Sequence, residues 1–275
     1  MTAPPLTDAL VRSTTPTSIA CPPISPHRSQ TTRHAPPTMD QGDTVTITIH
    51  PEISLADLVT QDPGRARVLE RLGLDYCCGG SRTLGQACAE ANLNVPDVMD
   101  ALGQAPSQPA GDWESMSLRE LTQHLVDTHH AYLWEEMPRL SALVAKVAGV
   151  HGERHPELAQ IATTYEELRA DLEPHLLKEE RILFPAIAQL EAGEQPFPPP
   201  SHPIRVMMAE HDAAGELLAR LRELTGGYVP PADGCGSYQA MMAGLEELEH
   251  DTHVHIHKEN NILFPKVLEL EHTTS

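Results

Sequence analysis

Apolar residues recur at three- and four-residue intervals over four long stretches of the chain, the spacing that gathers them on one face of an α-helix. The first stretch opens at Ser117, which with Glu120 forms a capping-box pattern, and runs to about Val150 with a kink expected at Pro138. The second spans about Pro156–Glu191 and is interrupted at Pro174 and Pro185. Gly193–Pro203, with five prolines, reads as a crossover. A third helix is predicted over about Ile204–Leu224, a turn-rich break over Gly226–Gly234, and a fourth helix over about Ser237–Leu270. Four long helices with short or moderate connections predict an all-α chain whose residues 116–272 form a four-helix bundle.

Upstream the helical segments are shorter. Residues 51–103 predict a small helical unit: Ser54 with Asp57 caps a helix over Leu55–Val59, Asp62-Pro63 starts a second that ends at Gly73, and helical spacing resumes over Thr83–Leu93 and Pro96–Leu102. Between them lies Leu74-Asp75-Tyr76-Cys77-Cys78-Gly79-Gly80-Ser81, a turn expected to expose its thiols. Residues 104–115 have the composition of a linker. Residues 1–40 hold eight prolines and twelve Ser/Thr with no helical period, so residues 1–50 are expected to be a disordered extension. They lack the apolar core of a secretory signal. They weakly suggest a transit peptide, and a true start near Met39 fits equally well.

Charge narrows the choice of partner. Thirty-nine Asp and Glu against 19 Lys and Arg leave −20, which argues against nucleic acid and anionic membranes as partners. No apolar stretch is long enough to cross a bilayer. Five cysteines, Cys21, Cys77, Cys78, Cys88 and Cys235, with no regular spacing make a poor disulfide framework, so a reducing cytoplasm is expected. Of 16 histidines, twelve lie between His124 and His257, a concentration better explained by metal ligation than by packing.

A repeat places those ligands. His175-Leu-Leu-Lys-Glu179-Glu-Arg-Ile-Leu-Phe-Pro185 matches His255-Ile-His-Lys-Glu259-Asn-Asn-Ile-Leu-Phe-Pro265 at seven of eleven positions. In each copy the histidine and glutamate are four apart and share a helical face. A histidine precedes each copy at nearly equal distance, His130 by 45 residues and His211 by 44. His211 lies on the apolar stripe after Met207, where core packing is the competing reading. His129 and His130 flank the stripe of helix one almost equally, and periodicity does not choose between them. His151, at the end of helix one, is a further ligand candidate against a C-terminal capping role. His124, His155, His250, His253 and His257 are expected on solvated faces. Counting one residue from the first pair, five imidazoles and two carboxylates exceed the needs of one first-row ion, so two ions bridged by Glu179 and Glu259 are expected, and the His-rich donor set favours ferrous iron.

The His…His-x-x-x-Glu…His…His-x-x-x-Glu pattern, with Leu-Phe-Pro after each pair, resembles the hemerythrin-like (HHE) domain. Together with Asp75-Tyr76-Cys77-Cys78-Gly79-Gly80 and Glu210-His211-Asp212, the chain from about Ile53 to Leu270 resembles the RIC family, di-iron proteins for the repair of iron centres, whose N-terminal unit is the ScdA-type Cys-Cys domain. The resemblance implies two non-haem iron ions, oxo- and carboxylate-bridged, on His130, His151, His175, Glu179, His211, His255 and Glu259, and it is what selects His130 over His129. It also implies a stress-response role in restoring iron–sulfur clusters damaged by oxidants or nitric oxide, by supplying iron to the damaged protein or its assembly scaffold, and a homodimer formed through the N-terminal unit. Cys77 and Cys78 are expected to be redox or iron-transfer thiols, Cys88 a core residue, and Cys21 and Cys235 without a role. The alternatives are an oxygen or nitric oxide sensor or carrier that retains its iron, and an enzyme that reduces nitric oxide at adjacent ferrous ions. The leading reading requires no enzymatic activity.

Overall fold

The computed structural model describes residues 49–109 and 111–274. The predicted extension lies outside these residues up to position 48, as does Cys21. The described residues form one compact unit.

The first part holds four short helices, α1 (Leu55–Gln61), α2 (Ala66–Leu72), α3 (Leu84–Glu90) and α4 (Val95–Gly103). Local chemistry sets their ends. Ser54 Oγ accepts from the Asp57 amide at 2.9 Å, and Thr83 with Gln86 closes a reciprocal capping box. Gly73 ends α2 at φ 67°, in the left-handed region that glycine enters without a Cβ clash.

The bundle follows. Its first member is α5 (Leu118–Leu125), a π-helical turn at Val126–His130, and α6 (Ala131–His151). The second is α7 (Glu157–Lys178), a π-helical turn at Glu179–Leu183, and α8 (Phe184–Glu191). The third is α9 (Ser201–Leu224). The fourth is α10 (Gly236–Lys258), a π-helical turn at Glu259–Leu263, and α11 (Phe264–Thr274). Ser117 and Glu120 cap α5 reciprocally. The irregularities differ from those the prolines predict: Pro138 and Pro174 lie inside unbroken α6 and α7, and the breaks are three π-turns that hold or border a ligand candidate.

Two apolar clusters build the interior. One joins Leu133, Val144, Ile161, Tyr165, Leu218 and Leu245 at one end of the bundle. The other joins Leu125, Phe184, Met207 and Phe264 to Leu55, Leu69, Tyr76 and Leu84 of the first part. The small helical unit therefore shares an apolar core with the bundle, which adds to the little apolar surface so short a segment buries by itself. Along each bundle helix the two clusters meet where the candidate ligands lie: His130 falls between Leu125 and Leu133, and His211 between Met207 and Ala214.

Candidate metal centre

Six of the seven predicted ligands converge at that junction. His130, His175, His211, His255, Glu179 and Glu259 are all buried, the two carboxylates completely. They divide into two overlapping sets of four, His130/His255 and His175/His211, each completed by both glutamates. The carboxylates split their oxygens between the sets. Glu179 turns Oε1 to His175 Nε2 at 3.4 Å and Oε2 to His130 Nε2 at 3.4 Å and His255 Nε2 at 3.9 Å. Glu259 turns Oε1 to His255 Nε2 at 3.3 Å and Oε2 to His211 Nε2 at 3.1 Å. Both carboxylates are therefore placed to bridge two cations.

A test of fit is whether these atoms are satisfied without a cation. They are not: both oxygens of Glu179 and of Glu259, and Nε2 of His130 and His255, are buried without a hydrogen-bond partner. Buried carboxylates with imidazoles nearby but no hydrogen bond are costly, and a cation between them removes the cost. Protons partly stand in for it. Burial pulls the His175 pKa down, but Glu179 beside it prevails and pushes it up to about 9. Burial likewise raises Glu259, yet His255 and His211 hold it well below the usual carboxylate range.

The outward nitrogens are held by residues adjacent to ligands in sequence. His130 Nδ1 lies 3.0 Å from Glu180 Oε1, which also accepts from Trp134 Nε1, and His211 Nδ1 lies 2.9 Å from Asn260 Oδ1. Glu180 and Asn260 each follow a candidate ligand glutamate, so the repeat extends to its supports. His175 Nδ1 lies 2.9 Å from Glu210, which precedes His211 and also pairs with Lys178. Such partners fix which ring nitrogen faces a metal. The repeated Leu-Phe-Pro has a role here too: Phe184 stacks on His130 and Phe264 on His211, ring centroids 5.6 and 5.9 Å apart.

His151 is not part of this centre. It ends α6, 21 residues and roughly 30 Å of helix rise from His130. Its Nε2 sits 3.2 Å from Sγ of Cys235, the exposed N-cap residue of α10, whose thiol is lowered to about 7 by backbone N–H groups of α10 and by His151. The centre thus contains four imidazoles, and Cys235, expected to have no role, has a partner.

His129 and His130 are both buried, but only His130 joins the centre. His129 stacks parallel to His255 at 5.4 Å, holds Asp251 at 2.8 Å through Nδ1, and meets Lys258 Nζ at 2.7 Å through Nε2. His257 is fully buried, not solvated: it meets Thr60 Oγ1 at 3.1 Å, and burial lowers its pKa to about 4. His253 and His250 are half-buried around Glu70. Wheel periodicity misplaces them because the small helical unit covers the face of α10 that a lone bundle would expose.

The same cover changes the cysteine turn. Cys77 is buried and Cys78 half-buried, since Asn261 Nδ2 donates to Cys77 O at 2.9 Å. Gly80 permits this approach: a Cβ there would stand 2.6 Å from Asn261 Oδ1. Cys88 is a core residue.

Comparison with known proteins follows this division of the fold. The hemerythrin HHE cation binding domain matches residues 121–267, and ScdA_N, a domain of unknown function (DUF542), matches residues 52–106. A Haemophilus influenzae protein named "Probable iron-sulfur cluster repair protein" is 38% identical over 218 residues, covering 78% of this chain and 96% of its own length. The chain belongs to the RIC family of hemerythrin-like proteins. Two further relatives, each named "Iron-sulfur cluster repair protein YtfE", come from Enterobacter sp. strain 638, 37% identical over 215 residues, and Escherichia coli O157:H7, 38% identical over 216. Each match covers 78% of this chain and 96% of the relative. The HHE match encloses the six buried candidate ligands, and the DUF542 match encloses Cys77 and Cys78. Among the described residues no helix is long and apolar enough to cross a membrane.

Proposed function

We propose that this chain holds two non-haem iron ions between its four buried imidazoles and two shared carboxylates, and helps restore damaged iron–sulfur clusters by supplying iron. The observation that carries the reading is the divided carboxylate: each of Glu179 and Glu259 offers one oxygen to each histidine pair. The printed names of the relatives supply the biological direction. When bound, an iron pair supplies open-shell ions that take diatomic ligands or leave as ferrous iron. The chain's own residues argue for leaving. Four neutral imidazoles and two carboxylates compensate two dications incompletely in a buried site, which disfavours a further rise in oxidation state and weakens retention. His130, His175 and His211 are oriented by Glu180, Glu210 and Asn260, while the flanking leucines and phenylalanines exclude water. The substrates are damaged iron–sulfur proteins or their assembly scaffold, met in a cytoplasm under oxidative or nitrosative stress, and Cys77 and Cys78 serve the transfer of iron. The test incubates iron-loaded protein with a cluster enzyme inactivated by nitric oxide. Recovery above that given by an equal amount of ferrous salt is expected. Recovery equal to the salt control would refute iron supply.

A further inference from the structure

Outside the bundle centre, one other group of donors among the described residues converges tightly enough to hold a cation: Asp75, Cys77 and Cys78. The Asp75 carboxylate is fixed by its own turn, its Oδ1 accepting from the Cys77 and Cys78 amides at 3.1 and 2.9 Å. The two sulfurs lie 3.9 Å apart, and Cys77 Sγ is 3.3 Å from Asp75 Oδ1. A tetrahedral ion with metal–sulfur bonds of about 2.3 Å spans sulfurs about 3.8 Å apart. The turn therefore already presents both thiols at the spacing one ion needs, whereas a disulfide would require them to close to about 2 Å.

The surroundings select the ligand's charge. The turn forms one wall of a cavity of about 500 Å³ between the small helical unit and helices α9 and α10. Among its other lining residues, Asp212 and Glu216 add carboxylates to that of Asp75, while Glu70 is held by Tyr76 and His250, each at 2.9 Å, and Glu249 by Arg222, whose Nε donates at 3.0 Å. Such a wall repels anionic thiols and attracts cations. The turn also touches the bundle centre. Asn260, whose Oδ1 meets His211, points its Nδ2 toward Cys77 O at 3.5 Å and Cys78 Sγ at 3.9 Å. One side chain thus separates this donor group from the His175/His211 set.

We propose that Asp75, Cys77 and Cys78 form a second binding site, for a thiophilic divalent cation entering from the acidic cavity. Binding forms two metal–sulfur bonds and releases the two thiol protons to solvent, with no change of oxidation state. In naming the natural cation as ferrous iron in transit to or from the His175/His211 position, the proposal rests on the iron-supply reading; the site itself does not.

Cobalt(II), a neighbour of iron in ligand preference, is the probe. Full-length iron-loaded protein is titrated anaerobically with cobalt(II) chloride, following near-ultraviolet thiolate-to-cobalt charge transfer and bound cobalt. About one further equivalent per chain with a charge-transfer band is expected. The band should survive Cys235→Ser, vanish in the Cys77→Ser/Cys78→Ser protein while bundle iron is unchanged, and need about tenfold more cobalt in Asp75→Asn. No band in the unaltered protein, which requires no variant to fold, would overturn the proposal, as would an undiminished band in the double variant. Cobalt binding as described with no cluster repair would overturn the iron-supply reading and leave this site standing.

Discussion

Glu179→Gln should loosen both metal positions, whereas His130→Gln should loosen one. The reason is geometric: Glu179 gives Oε1 to the His175 side and Oε2 to the His130/His255 side, while His130 faces a single set. An ion that binds only the folded chain stabilises it by about 2.7 kcal/mol when free metal is about 100 times Kd, hence about 5 kcal/mol for two positions. In a folded unit of this size that corresponds to a rise in melting temperature of about 10–20 °C. The assay is differential scanning calorimetry under anaerobic conditions, with ferrous iron or with chelator. The unaltered protein should show the full rise, His130→Gln about half, and Glu179→Gln little. A half-sized rise in Glu179→Gln, equal to that of His130→Gln, would mean that Glu179 serves one position only. An undiminished rise would refute the shared-carboxylate arrangement.

Other outcomes follow from the same geometry. In chelator-stripped protein the His175 pKa stands at about 9, above its unfolded value near 6.5, so its contribution is fully present below pH 6.5 and is lost as pH rises through 9. Urea denaturation should show a loss on the order of 3 kcal/mol across that window, absent when iron replaces the proton, and a flat profile in stripped protein would contradict it. Gly80→Ala should cost about 1–3 kcal/mol, because its Cβ would meet Asn261 Oδ1 and Tyr76 O, each at 2.6 Å; unchanged urea stability would argue against that close approach. Alkylation of Cys235 by iodoacetamide, followed by mass spectrometry, should rise with a midpoint near pH 7 and shift upward in His151→Ala, while buried Cys88 stays unmodified. Identical profiles with and without the imidazole would separate the pair.

Local and repeated features were the legible ones. Capping at Ser54, Ser117 and Gly73 depends on neighbours in sequence, and the His-x-x-x-Glu pairs depend on one helical turn, so both could be read without the fold. His151 could not, since one long α6 puts His130 and His151 at opposite ends and only the partner at each end decides what an imidazole does. His257 was misleading for a different reason. Its face of the bundle is covered by the small helical unit, and a helical wheel carries no information about an unseen neighbour. Glu180 and Asn260 were within reach: they occupy the same position of the two repeats, directly after Glu179 and Glu259, where a polar residue is placed to hold the facing histidine.

The central claim is a pair of iron ions sharing two carboxylates, and metal analysis combined with Mössbauer spectroscopy of anaerobically purified protein tests it most directly. The account predicts about two irons per chain, in nitrogen- and oxygen-ligated positions, with each of His175→Ala and His255→Ala emptying or weakening one position while the other keeps its spectrum. A single zinc per chain, or iron whose spectrum neither substitution alters, would contradict it.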